Sequence, residues 1–428
     1  MKTVIMAGGK GSRIASVAPD IPKPMIPLHG KPILQYQLEC LAKNKLTDII
    51  ITIGHLGHII KDFFEDGKKF GCSISYFEET EPLGSGGALF QIIDDLDDDF
   101  ILINGDIIFD MDFSRLADFH KRYTAWATLV VHPNNHPFDS ALLFTDSGHR
   151  VIKWLNKEEP RGFYKNQVNA GIHVLSKQLL RSIRPLSQKI DLDRDILKLL
   201  IPTRKIYAYP TPEYIKDMGT PERCAQVSAD IKAGTVQNKN LKQKQKAVFL
   251  DRDGTINIFN DFIKKPEDFE LIEGAADAIK KINSLGYLTI VITNQPVIAR
   301  GEIDIETLDL IHMKMETRLG EQGAYIDDLF YCPHHPDRGF AGERPEYKID
   351  CDCRKPKPGM ILAAAEKYNI DLSCSYMVGD HKRDAEAGIA AGCISVLLKE
   401  KAGETEQTED KKSILLFSSL GEFVESCL

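Results

Sequence analysis

Two carboxylates stand two residues apart in Phe249-Leu-Asp-Arg-Asp-Gly-Thr255, after a short apolar run that reads as a strand. At the carboxyl end of a strand both acids can share one site while Gly254 lets the chain turn away, so that one attacks and the other handles protons. Further apolar runs end in Thr293-Asn294 and in Gly379-Asp380, Asp384 follows four residues later, and Arg354-Lys355 supplies cations. Beside this set, Cys332-Pro-His334 and Cys351-Asp-Cys353 offer three thiolates and one imidazole, donors that suit tetrahedral Zn²⁺, with free buried thiols as the alternative. Because Cys353 directly precedes Arg354-Lys355, a metal clip there would fix the loop that carries those cations. His335 reads as non-ligating.

The first half carries a different chemistry. Ala7-Gly-Gly-Lys-Gly-Ser-Arg13 is a glycine-rich loop after a first strand, where backbone amides can cradle phosphates. It is not a dinucleotide fingerprint, because Ile14 stands at the third glycine position, nor a Walker loop. A plain tight turn is the alternative. Pro22-Lys-Pro-Met25 places Lys23 between two prolines that keep the backbone extended, and Leu83-Gly-Ser-Gly-Gly-Ala88 is a second glycine-rich turn. Phe100-Ile-Leu-Ile-Asn-Gly-Asp106 ends a buried strand in a carboxylate, and Asp217 offers another. Two acids on separate strand or loop ends can hold one Mg²⁺ against phosphate oxygens.

Such sites need strands ending at one edge. Short apolar runs, Thr3–Met6, Ile49–Ile53, Phe100–Ile103, Ala247–Leu250, Leu288–Ile292 and Tyr376–Val378, alternate with longer helix-like segments, which predicts parallel sheets covered by helices. The fold class is α/β, as two Rossmann-like three-layer domains. At 428 residues the chain exceeds one ordinary core, and Gln237–Lys246, with one apolar residue, reads as a solvated linker or as an exposed basic helix end. The expected division is residues 1–234, a linker over 235–246, and 247–428. The polar segment Lys401–Lys412 is expected to be mobile, with Ile414–Phe417 and Phe423 returning to the second core.

With 54 basic against 62 acidic residues the net charge is −8, which argues against a nucleic-acid partner. The apolar N-terminal run stops at Gly8, far short of a signal peptide or a membrane span, so a cytoplasmic protein with small-molecule partners and no membrane is expected. Nine cysteines in a chain this long do not make a disulfide framework, and those outside the cluster read as small core or surface residues. The acidic stretch Asp94–Asp99 lacks the spacing of a calcium loop and reads as a solvated loop. Oligomeric state is not legible.

On these motifs the first half, over nearly all of residues 1 to 234, resembles the sugar-1-phosphate nucleotidyltransferases. The resemblance implies that Gly8, Gly9, Gly11 and Arg13 bind the triphosphate with Lys23 beside them, and that the turn Gly84, Gly86 and Gly87 approaches the base. Asp106 and Asp217 would ligate Mg²⁺, while Lys157 and Asn169 would face the sugar phosphate. Asn156, Ser12 and Ser85-Gly86 depart from the family's usual glutamate, threonine and Thr-Ala.

The second half resembles the haloacid dehalogenase (HAD) superfamily of phosphatases. By that resemblance Asp251 is the nucleophile that forms an aspartyl-phosphate, and Asp253 protonates the leaving oxygen and then activates water. Thr293, Asn294, Arg354 and Lys355 would hold the phosphoryl group. Mg²⁺ would sit on Asp251, Asp380 and the carbonyl of Asp253, with Asp384 in support. The ligand set Cys332, His334, Cys351 and Cys353 points to the zinc-containing branch that acts on heptose 1,7-bisphosphate or histidinol phosphate. Pro296-Val297, after Gln295, and His381 depart from that branch.

Joined in one chain, the two resemblances imply a bifunctional enzyme of nucleotide-activated heptose synthesis, with the 7-phosphate removed first and a nucleotidyl group, GMP from GTP favoured, added second. Another sugar or base, histidinol phosphate as the phosphatase substrate, or one domain serving as a nucleotide-sugar binding module are the alternatives.

Overall fold

The computed structural model describes residues 1–9, 20–184, 187–259, 261–399, 405–407 and 413–428. Gly11, Ser12, Arg13 and most of Lys401–Lys412 lie outside the described residues. The chain divides into two compact units. One comprises Met1–His132, Leu143–Asn156 and Gln167–Asn240, and the other Pro133–Leu142, Lys157–Asn166 and Leu241–Leu428.

In the first unit the strand Thr3–Met6 lies between two parallel neighbours, Asp48–Ile53 and Asp99–Asn104, with Met6 in register with both Thr52 and Asn104. Beyond Asp99–Asn104 the long strand Val168–Ser176 runs antiparallel, so the sheet is mixed. Ile5, Ile51 and Ile103 are fully or almost fully buried in one core with Leu34, Leu38 and Leu41 of the helix Ile33–Lys43. These strands are continuous apolar runs because helices cover them. Since the three parallel strands end in register, whatever follows them emerges at one edge, where open α/β sheets place their ligands.

The second unit carries a sheet that is parallel but for the edge strand Thr405–Gln407, with Ala247–Leu250 between Leu288–Asn294 and Tyr376–Gly379. Alternate residues of Ala247–Leu250 serve two cores. Val248 and Leu250 pack with the helices Ala275–Ser284 and Ile305–Glu321, while Ala247 and Phe249 pack with the helix Gly359–Tyr368. The sheet is thus buried on both faces in three layers, as an unbroken apolar strand requires. Ile414, Leu416 and Phe423 are buried here as expected.

Two features differ from the sequence reading. Most of Gln237–Lys246 is exposed, as a linker or helix end would be, but the stretch is tied down at a few points. The helix Thr235–Asn238 precedes a run in which Asn240, Leu241 and Gln245 are buried. Asn240 Nδ2 donates to Asp110 Oδ1 at 2.6 Å, and the Gln245 N–H donates to the Asn369 carbonyl at 3.0 Å. Amide side chains that look solvated in a sequence are satisfied here by protein partners. Second, Pro133–Leu142 and Lys157–Asn166 count with the second unit. There the Tyr164 N–H donates to Thr317 Oγ1 at 3.0 Å and the Asn166 N–H to Glu316 Oε2 at 2.7 Å.

Among the described residues no helix is long and apolar enough to cross a membrane.

Candidate active sites

Asp251 follows directly on Ala247–Leu250, and its N–H donates to the Val378 carbonyl at 2.9 Å. Lys355 Nζ lies 2.8 Å from Asp251 Oδ1 and 2.7 Å from Asp384 Oδ1, and donates to the Ile292 carbonyl at 2.7 Å. All three charged side chains are buried. Burial raises the Asp251 carboxyl, Asp384 raises it further and Lys355 opposes both, leaving it at about 7. For Lys355 burial works against the charge, but Asp251 and Asp384 outweigh it and hold the ammonium above its ordinary range.

Asp253 is held differently. Arg252, fully buried, donates to it through Nε at 3.1 Å and through Nη2 at 2.9 Å to each oxygen, Asn257 Nδ2 donates at 3.1 Å, and Gln295 Nε2 at 2.9 Å. Burial pushes this carboxyl up, yet the Arg252 charge and these donors prevail and hold it below the usual carboxylate range. Sequence reasoning singled out neither Arg252 nor Gln295, although Arg252 sits between the two acids.

Asp251, Asp380 and Asp384 present donor oxygens all within 4.8 Å of one another, a carboxylate set that fits a hard cation such as Mg²⁺. Gly254, at φ +78°, closes the loop against them, and a Cβ there would collide with the Asp380 carboxylate. Thr293, buried at the end of its strand, accepts from Gln295 Nε2 at 2.9 Å. Asn294 has its side chain engaged by the lysine loop. Its Nδ2 donates to the Lys355 carbonyl and its Oδ1 accepts the Lys355 N–H, both at 3.0 Å, so its amide positions the lysine. Arg354 Nη1 donates to the His334 carbonyl at 3.0 Å.

The four predicted zinc ligands converge. Cys353 Sγ lies 3.4 Å from Cys332 Sγ, 3.2 Å from Cys351 Sγ and 3.4 Å from His334 Nδ1, and Cys332 Sγ lies 3.5 Å from Cys351 Sγ. Disulfide sulfurs would sit at about 2 Å, and all of these cysteines are free. Zn–S bonds of about 2.3 Å in a tetrahedron imply sulfur separations of about 3.8 Å, close to those present, so the donor set fits Zn²⁺. His335 is not in the cluster; its ring packs edge-on to Phe340.

In the first unit, Gly8 and Gly9 follow the central strand, and Gly105-Asp106 follows its neighbour, with the Gly105 N–H donating to the Met6 carbonyl at 3.0 Å. The strand Tyr214–Asp217 pairs with Ile107–Asp110, and the Met218 N–H donates to the Asp106 carbonyl at 2.9 Å, which brings the two predicted metal ligands to adjoining backbone. Each is already paired. Lys23 Nζ lies 2.5 Å from Asp106 Oδ2, and Arg223 Nη1 donates to both Asp217 oxygens at 2.9 and 2.8 Å. Carboxylate oxygens are donors of the type that Mg²⁺ takes, and here each acid is held by a cation of the protein.

Glu79 joins the two glycine-rich loops. Its Oε2 accepts the Leu83 N–H at 3.1 Å, and a Cβ on Gly8 would lie 2.9 Å from its Oε1. Nothing in the local sequence marked it. Gly84 and Gly87 are explained by close packing, since a Cβ on either would strike the Ile190 or Gln188 carbonyl, and the Gly86 N–H donates to Ile190 at 2.9 Å. Asn169 accepts the Gly171 N–H and donates to Asp193 Oδ2 at 3.4 Å. Lys157 is exposed, 3.7 Å from Glu158, and falls in the other unit from Asn169.

The family model of nucleotidyl transferases matches residues 2–234, more than half of the chain. The chain belongs to the nucleotidyl transferase family. Its second half is a HAD-like phosphatase: the HAD-hydrolase-like family model matches residues 352–422, and the D-glycero-beta-D-manno-heptose-1,7-bisphosphate 7-phosphatase of Vibrio cholerae is 40% identical over 173 residues, covering 40% of this chain and 91% of that relative. Among solved structures, HddC from Yersinia pseudotuberculosis is 26% identical with a TM-score of 0.48, covering 54% of this chain and 99% of its own. The D,D-heptose 1,7-bisphosphate phosphatase of B. bronchiseptica, complexed with magnesium and phosphate, is 32% identical with a TM-score of 0.36, covering 42% and 97%. This transferase is therefore also a phosphatase, one enzyme with two kinds of site.

Proposed function

We propose that the protein is a bifunctional enzyme of nucleotide-activated heptose synthesis. The second half removes the 7-phosphate of D-glycero-D-manno-heptose 1,7-bisphosphate, and the first half joins a nucleotidyl group to the resulting heptose 1-phosphate. The observation that carries this reading is the 40% identity, over nearly the whole length of a heptose bisphosphate 7-phosphatase, in a chain whose other half is a nucleotidyl transferase. Removing the 7-phosphate yields the kind of sugar 1-phosphate that such a transferase uses.

In the phosphatase, Asp251 Oδ attacks phosphorus, the bond from phosphorus to the sugar oxygen breaks, and Asp253 gives that oxygen its proton. Water then attacks the aspartyl-phosphate, returns a proton to Asp253 and releases inorganic phosphate and free Asp251. Thr293 and Lys355 hold the phosphoryl oxygens, Arg354 adds charge, and Asn294 fixes the lysine. Mg²⁺ on Asp251, Asp380 and the Asp253 carbonyl, with Asp384 in support, would offset the repulsion between an anionic nucleophile and an anionic substrate. Zinc on Cys332, His334, Cys351 and Cys353 would hold the loop that carries Arg354 and Lys355.

In the transferase, a phosphate oxygen of heptose 1-phosphate attacks the α-phosphorus and pyrophosphate leaves, so the site has to position two anions and neutralise their charge. Gly8, Gly9, Gly11, Arg13 and Lys23 serve the triphosphate. Gly84, Gly86 and Gly87 serve the base, and Asn169 the sugar phosphate. Asp106 and Asp217 would hold Mg²⁺, whose charge stabilises the phosphates. GTP is favoured by likeness to heptose guanylyltransferases, together with the α anomer. A second reading has the β anomer throughout, with ATP or another triphosphate, because the phosphatase relatives are named for the β sugar and hydrolysis at C7 leaves C1 unchanged.

One reaction tests both readings: purified protein, Mg²⁺, each anomer of the bisphosphate separately, and GTP with ATP in competition, followed by mass spectrometry. GDP-heptose from the α anomer is expected. Nucleotide-heptose from the β anomer alone would favour the second reading, and heptose 1-phosphate with no nucleotide sugar would overturn the transferase assignment.

A further inference from the structure

The amide of Gln295 occupies an unusual place in the phosphatase unit. Its side chain is 1% exposed, and its single Nε2 spends one hydrogen on Asp253 Oδ2 and the other on Thr293 Oγ1, both at 2.9 Å. Its own N–H donates to the carbonyl of Cys332 at 2.8 Å, which ties the residue to the cysteine cluster. An NH₂ group donates and does not accept. Two consequences follow. The Thr293 hydroxyl has a lone pair engaged by Gln295, so its one proton is left to donate elsewhere, which is what holding a phosphoryl oxygen requires. The Asp253 carboxylate, held at Oδ1 by Arg252 and Asn257 and at Oδ2 by Arg252, receives at Oδ2 a second donor from Gln295, which fixes it from the side of the Thr293 strand.

We propose that Gln295 is a positioning residue of the phosphatase, one buried amide that sets both the donor direction of the phosphate-holding Thr293 and the placement of the acid–base Asp253. The inference rests on the phosphatase roles of Thr293 and Asp253, and it goes beyond them by coupling the two through a residue that touches neither reacting atom.

The test compares full-length wild type with Gln295→Met, which keeps the length and removes the donors, on two esters: a sugar phosphate that the wild type hydrolyses, whose alkoxide leaves poorly, and p-nitrophenyl phosphate, whose phenolate leaves without help. Misplacing Asp253 is expected to lower kcat on the sugar phosphate roughly 100-fold, within the range of one proton-transferring group, and on p-nitrophenyl phosphate about tenfold or less. Misdirecting Thr293 is expected to weaken inhibition by inorganic phosphate about tenfold, the loss of one charge-assisted hydrogen bond. Equal losses on both esters with unchanged phosphate inhibition would show a merely structural role and overturn the proposal, as would no loss at all.

In an Asp253→Ala background, adding Gln295→Met should cost less than about threefold more on the sugar phosphate, because residues acting as a unit are not additive; a full multiplicative loss overturns the coupling. Zinc content per chain reports whether the site is assembled. If Gln295→Met loses it, Gln295→Glu, of the same size with acceptors in place of donors, carries the same comparison. Asp251→Asn separates the two levels of the argument: if it still hydrolyses p-nitrophenyl phosphate, the phosphatase reading of these residues fails, not the role of Gln295.

Discussion

The two sites solve the problem of an anionic substrate in opposite ways. In the phosphatase unit Asp251, Asp384 and Lys355 are buried and the charged groups are bonded to one another: Lys355 bridges Asp251 and Asp384, Arg252 grips Asp253, and Asn294 fixes the lysine backbone. In the transferase unit the acids are partly open and each is matched by one cation, Lys23 on Asp106 and Arg223 on Asp217. The contrast follows from the chemistry. A reaction that uses a protein carboxylate as nucleophile has to desolvate and align that group in advance. A reaction between two bound phosphates asks the protein for charge and position, and such charges can pair with each other until ligands take their place.

The largest effect that could break the comparison is at the nucleophile. Asp251→Asn is expected to reduce phosphate release by about 10⁴-fold or more, since the covalent route is removed, and to leave nucleotidyl transfer at the wild-type rate. Both activities are measured on the same preparation. Phosphate release that persists would show that burial and the Lys355 contact do not mark a nucleophile.

On the transferase side no single residue should matter so much. Asp106→Ala is expected to slow nucleotidyl transfer roughly 10²–10³-fold, the scale of one electrostatic stabiliser, with phosphate release unchanged. Unaltered transfer would mean that Asp106 is no ligand and that the Lys23 pair is structural. Smaller still is the contribution of the metal clip. Cys353→Ser, or zinc removal by a chelator, is expected to lower phosphatase activity about 10–100-fold, as for loss of groups that orient a site from outside it, and zinc analysis with both assays would check this. An equal loss of transfer would show that the clip supports more than its own loop.

The degree to which each site could be read from the sequence follows the same divide. The phosphatase groups cluster in short motifs at strand ends, because a parallel sheet delivers Asp251, Thr293 and Asp380 to one edge from runs that are apolar on both faces. The cysteine cluster was equally legible, since its ligands stand in two tight pairs. What escaped were side chains whose role depends on reach across the fold: Arg252 and Gln295 on Asp253, and Asn294, whose amide turned to Lys355. In the transferase unit the acids and Lys23 were legible, but Glu79, Arg223 and Asp193 were not. Each lies far in sequence from most of what it organises, or reads as an ordinary surface charge. The burial of Asn240 and Gln245 escaped for a related reason, since a polar composition does not tell satisfied amides from solvated ones.

Asp193 offers the finest test of the contrast, because it is a half-buried carboxylate in the transferase unit whose bonded partner is the neutral amide of Asn169. Burial raises it to about 7, and the like charge of Asp191 adds to this. The unfolded chain would ionise it near pH ~4. Between these values the folded state binds the extra proton, so stability falls as pH rises from about 4 to about 7 and stays at the lower level above that. Asp193→Asn is neutral throughout and its amide oxygen still accepts from Asn169. Its stability advantage over the wild type should therefore be absent near pH 4, grow to about pH 7, and level off at roughly 1–4 kcal/mol, the upper end being the full ~3-unit shift. The measurement is the thermal midpoint for loss of nucleotidyl transfer capacity, assayed after return to one common pH. An advantage that is the same at pH 5 and pH 8 would show that Asp193 is ionised in the fold and that its burial is compensated by a cation.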